Sequence, residues 1–85
     1  MKILVKFSKD WADEFDVEGW KLFDSMEDWR LHYDGILSGE YYFGTNEGWD
    51  GSDFTESDFT VSTLYSDQAQ VLIENFGTEW GHFPS

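Results

Sequence analysis

Ile3, Val5 and Phe7 alternate with Lys2, Leu4 and Lys6, a period of two that predicts a strand. Ser8 stands where it would cap a short helical turn over Lys9–Glu14, with Trp11 and Phe15 four apart on one face. Val17–Phe23 reads as a second strand, with Gly19 at a bulge. Ser25 is the expected cap of a helix whose first turn holds Glu27 and Asp28, where the helix dipole favours anions. Met26, Trp29, Tyr33 and Ile36 follow at helical spacing, and Gly35 marks the expected end.

Glu40–Phe43 reads as a short aromatic strand. Gly44–Ser57 is rich in Gly, Asn, Asp and Ser, the composition of a long acidic loop. Asp58–Tyr65 is a further strand, with Phe59, Val61, Thr63 and Tyr65 on one face. Ser66 is the expected cap of a second helix, in which Ala69, Leu72, Ile73 and Phe76 form an apolar stripe that Gly77 ends. The tail carries Trp80 and Phe83, expected to pack back in part. These elements predict a small single α+β domain over residues 1–85. It has about four mainly antiparallel strands and two main helices in the order β(α)βαββα, with a core drawn from both helices.

Charge changes the picture more than any motif. All five bases, Lys2, Lys6, Lys9, Lys21 and Arg30, precede Leu31, and the net charge is −13. The carboxylates beyond Arg30 have only His32 and His82 as local cations, so that surface repels itself. Aromatics make up 20% of the chain, which separates it from disordered acidic tails. An acidic shell around an aromatic core is the expected result. Such a shell repels nucleic acid and anionic lipid, so neither is an expected direct partner. No run approaches membrane-spanning length, and Met1–Phe7 is too short and too quickly followed by charge to be a secretory signal. A cytoplasmic location is expected. Without cysteine there is neither a disulfide nor a thiolate metal site.

Carboxylates two apart on a strand lie about 6.6–6.8 Å apart on one face, a scale similar to the phosphate repeat of a DNA strand. Asp16 and Glu18 have that spacing, as do Glu56 and Asp58, while Asp24 and Asp28 would lie one helical turn apart. Fixed anions of this kind can take the Lys and Arg sites of a nucleic-acid-binding protein. The expected partner-binding patch is Glu47, Asp50, Asp53, Glu56 and Asp58, with Trp49 as an anchor. Trp49, Phe54, Tyr41 and Tyr42 are interleaved with acids and look exposed, but most of them are expected in the core, since so small a domain has few other large residues to build one. Base-stacking platforms come with a cationic groove, so these rings are not read as nucleic-acid contacts.

Asn46–Asp53 resembles part of an EF-hand loop, with oxygen ligands at alternate positions and Gly51 after Asp50. Gly48 occupies a ligand position and Ser57 the closing one, so no specific calcium site and no cofactor are expected. No nucleophile elbow, phosphate loop or histidine cluster is present, and no catalytic residue is assigned. Hydroxyls beside acids in Ser25–Asp28 and Thr55–Asp58 read as caps and turns rather than modification sites.

In size, charge, aromatic content and lack of cysteine the chain resembles the small acidic inhibitors of phages and mobile elements. Some of those imitate DNA to block restriction enzymes, repair glycosylases, CRISPR effectors or polymerase subunits. The resemblance implies a non-enzymatic inhibitor bound to a basic nucleic-acid-binding protein, such as a nuclease, a CRISPR effector, a repair enzyme or a polymerase subunit. It assigns no functional residue. Second stands an acidic interaction or immunity-type module whose basic partner is unrelated to nucleic acid. A small calcium-binding module is third.

Overall fold

Alternation along the first residues produces β1 (Lys2–Asp10), the strand around which the sheet is built. The computed structural model describes residues 1–10, 16–40 and 54–84. β1 pairs antiparallel with β2 (Asp16–Phe23), from Ile3 opposite Phe23 to Asp10 opposite Asp16. This corrects the start of the helical turn expected over Lys9–Glu14. Ser8 and Lys9 continue the strand opposite Glu18 and Val17, and residues 11–15 lie outside the described residues. The ladder satisfies the backbone of these residues, whereas an isolated turn would pay the cost of helix nucleation for little return. Gly19 is not at a bulge either, since the register runs through it unbroken as the partner of Phe7.

α1 (Met26–Leu37) begins as expected, with the Ser25 hydroxyl accepting the Asp28 amide at 3.1 Å. It does not stop at Gly35, which is buried inside the helix. The helix ends at Ser38, and Gly39 takes the left-handed conformation at φ +83°. A 3₁₀ turn (Glu56–Asp58) leads into β3 (Phe59–Leu64), which pairs antiparallel with the other edge of β1. α2 (Ser66–Phe76) is capped one residue earlier than expected. Ser66 is its first residue, and the Gln68 side chain accepts the amide of Tyr65 at 3.1 Å, half of a capping box. Gly77 ends the helix at φ +77°. β4 (Glu79–Gly81) then pairs antiparallel with β2.

The described residues thus form a small α+β domain of four antiparallel strands and two main helices, in the order β1β2α1β3α2β4. The sheet order is β3-β1-β2-β4. Strand and helix content match expectation, but the fourth strand comes from the tail. Glu40 is not in a strand, and residues 41–43 lie outside the described residues.

One face of the sheet makes the core. Ile3, Val5 and Phe7 of β1, Phe23 of β2 and Phe59 of β3 meet Trp29 and Ile36 of α1, with Phe54 and Phe83 closing the ends. Phe7 sits 5.0 Å from Phe59 and 5.9 Å from Phe54, and Trp29 5.1 Å from Phe59, ring separations that suit tilted aromatic packing. Phe54, although interleaved with acids, is core, as expected of most of these rings. Within β3 only Phe59 of the expected face is buried. Val61 is exposed at the sheet edge, and Tyr65 is exposed beyond the strand.

The expected core position of Phe76 is corrected: it is 59% exposed. α2 buries Ala69 only, with Leu72 and Ile73 half-buried. Leu72 and Phe76 line a groove with Trp20, which alternation sends to the face opposite Phe7 and Phe23. α2 therefore lies on the second face of the sheet, and its last turn extends beyond full cover.

Candidate protein-interaction surface

Local ion pairs consume most of the few cations. Lys2 pairs with Asp24, Lys21 with Glu79 at 2.7 Å, and Lys9 with Asp58 at 3.1 Å. Glu18, Glu27, Asp28, Asp34, Glu40, Glu56, Asp67 and Glu74 are all exposed, and none of them is in a salt bridge among the described residues. Asp24 precedes the cap of α1, so it does not stack one turn below Asp28. It turns back to Lys2, whose ammonium holds the Asp24 carboxyl below the usual carboxylate range.

Of the expected patch, Glu47, Trp49, Asp50 and Asp53 lie outside the described residues, as do Tyr41 and Tyr42 and the EF-hand-like stretch. Glu56 and Asp58 occupy the 3₁₀ turn, so the two-residue strand spacing does not apply to them. Their environments differ. The Asp58 side chain is 15% exposed and accepts both the Lys9 ammonium and, at 2.9 Å, the Thr55 amide. It fastens the turn to β1. Glu56 is exposed and free to face a partner. It also stands close enough to the α1 ring of Tyr33 to influence it. Burial pushes the Tyr33 phenol up from its ordinary pKa, and the charges of Glu56, Asp58 and Asp34 push it further. Glu56 of the turn and Asp34 of α1 thus both act on the Tyr33 phenol, and Asp34 is a residue that sequence reasoning did not select. Asp34 is exposed on α1, next to Tyr33 in the chain.

Sequence reasoning also missed a pair of tryptophans. Trp20 and Trp80 are directly opposite each other in the β2–β4 ladder, on the face away from the core. With Leu72 and Phe76 they line an open groove, and Trp80 is 48% exposed. The same two indoles wall an adjoining cleft shared by Lys6, Glu18 and Asp58. The period-two position of Trp20 gave one signal, but its partner lies in the tail, 60 residues on, beyond any local pattern.

The histidines have structural surroundings. His32 Nε2–H donates to the Pro84 carbonyl at 2.6 Å, and its ring packs 5.1 Å from Phe23. Burial lowers its pKa below the ordinary value more than the Pro84 carbonyl raises it. The His82 amide donates to the Glu18 carbonyl. Among the described residues no three of His, Asp and Glu form a group able to hold a metal ion, and no helix is long and apolar enough to cross a membrane.

The chain matches no family model, no curated protein and no solved structure. The surface has to be read from its own chemistry. Among the described residues it is a carboxylate-rich exterior with few local counter-ions, and it includes the Trp20–Trp80 groove.

Proposed function

We propose that this protein is a non-enzymatic inhibitor that acts in the cytoplasm by covering the basic nucleic-acid-binding surface of a target protein. One observation carries the reading: no lysine or arginine follows Arg30, while exposed carboxylates without an ion pair among the described residues run from Glu18 to Glu74. Lys and Arg surfaces that neutralise phosphates are strongly cationic, and fixed carboxylates offer them charge of the same sign as phosphate. Long-range attraction would speed encounter, and salt would screen it within a Debye length of about 8–10 Å. Glu47, Asp50, Asp53 and Glu56 would supply part of that surface, with Asp34 added by the fold. Asp58 would serve by holding the turn that presents Glu56.

Competition tests the reading. A partner captured on the immobilised protein should be released by duplex or single-stranded nucleic acid, and its affinity should fall steeply with salt. Replacing Asp34, Glu56 and Glu74 with Asn or Gln should weaken capture while leaving the fold intact. A partner that holds this protein and nucleic acid together, each with unchanged affinity, removes the inhibitor reading. The acidic interaction module with an unrelated basic partner would then stand in its place.

A further inference from the structure

Strand alternation sends Trp20 to the face away from the aromatic core, and β4 places Trp80 directly opposite it. The last turn of α2 brings Leu72 and Phe76 alongside, which completes an apolar groove. Phe76 and Trp80 are both about half exposed, although six other aromatic side chains among the described residues are buried. Contiguous apolar groups rimmed by polar ones mark interaction sites rather than chance exposure. The groove also opens into charge. Trp20 and Trp80 form its common wall with the cleft that holds Glu18 beside Lys6 and Asp58, the last already paired with Lys9.

We propose that this groove docks one apolar side chain of a cationic amphipathic protein segment. The anchor, a leucine, methionine or phenylalanine, would pack against Leu72 and Phe76. Arginines or lysines flanking it would lie over the indole faces of Trp20 and Trp80, where cation–π attraction acts within about 6 Å of a ring centre. Glu18 would meet a cation at the far end. Charge complementarity selects this occupant over a second copy of the chain, because two copies would bring together net charges of −13 each. The proposal deepens the basic-partner reading and rests on it. It adds that affinity comes from an aromatic anchor as well as from carboxylates.

Two synthetic peptides of equal length and charge test it by titration calorimetry against the full chain. One places leucines at i, i+3, i+4 and i+7 among arginines as an amphipathic helix, and the other carries serine in place of each leucine. The leucine peptide should bind at least ~10-fold more tightly, since anchor residues typically contribute more than a tenfold effect when truncated. Phe76→Ser and Trp80→Ser, both at exposed positions and checked for fold by circular dichroism, should each remove most of that advantage. Phe76→Ser should leave the weak, salt-sensitive binding of the serine peptide unchanged. Equal binding of the two peptides, or an advantage that survives both substitutions, overturns the groove and leaves the carboxylate reading standing. If neither peptide binds at low salt, the basic-partner reading fails and this proposal fails with it.

Discussion

Gly19 and Gly81 face each other across β2 and β4 so closely that neither position has room for a side chain. A Cβ on Gly19 would lie 2.5 Å from the Trp80 carbonyl oxygen and 3.0 Å from the His82 amide. A Cβ on Gly81 would meet the Glu18 carbonyl and come within 2.8 Å of the Gly19 Cα, and Gly81 also has φ +76°. This contact attaches the tail to the sheet. It sets the register that pairs Trp20 with Trp80 and brings Phe83 into the core.

Gly19→Ala should therefore cost about 1–3 kcal/mol through overpacking against backbone that cannot move aside. Gly81→Ala should cost more, because left-handed strain of about 1–3 kcal/mol adds to the clash. Urea denaturation measures the loss. Amide exchange of Trp80 and Gly81 should speed up before that of β1, which would show that the β2–β4 pair opens first. Unchanged exchange in both variants would mean that the tail is held by something other than this contact.

Two phenylalanines should respond in opposite ways to truncation. Phe7 is 1% exposed and touches three other core rings, so Phe7→Ala should cost about 3–5 kcal/mol. Phe76, on the open side of α2, should cost no more than about 1 kcal/mol, in the range of substitutions outside the core. Thermal melting of the two variants checks this. A Phe76→Ala protein as unstable as Phe7→Ala would show that α2 carries core packing.

Acid should weaken the tail attachment through His32. The unfolded side chain takes up a proton near its ordinary pKa of 6.5, whereas burial holds the folded pKa lower. Between those two values the unfolded state binds more protons, so stability falls as pH drops below about 6.5 and stops falling below the folded pKa. Comparison with His32→Gln, which can still donate to Pro84, isolates the histidine. The wild-type melting temperature should decline relative to the variant between pH 7 and the folded pKa, a trend to be followed alongside the NMR titration of the imidazole. Parallel curves would show that His32 titrates alike in both states.

Tyr33 should report on the acidic surface. Its phenol is held above the ordinary value of 10.0 by burial and then by Glu56, Asp58 and Asp34. Glu56→Gln should shift the phenolate absorbance titration to lower pH, and Asp34→Asn should do the same. Added salt should reduce the difference between wild type and variants. Because the folded pKa is raised, stability should fall as pH climbs past 10 and through the folded value. A titration unmoved by either substitution would place these carboxylates too far away to act together.

Local signals settled the elements whose stabilisation is local. The alternation of Ile3, Val5 and Phe7, the Ser25 cap and the Gly77 stop need only the periods of strand and helix and the chemistry of helix ends. The negative charge and its crowding beyond Arg30 are properties of the chain itself. What the sequence by itself could not settle depends on partners distant along the chain. Phe54 lies among acids and glycines, yet it is buried because Phe7 and its neighbours offer it a place. Phe76 continues an apolar stripe, yet it is open because the aromatic core is on the other face of the sheet. Trp80 meets Trp20 only because two glycines allow the tail backbone to approach β2. Helical and strand periods mark which side of an element is apolar. Which apolar sides become covered is decided by topology, because burial requires a second surface and the sheet has two faces for two helices of unequal fit.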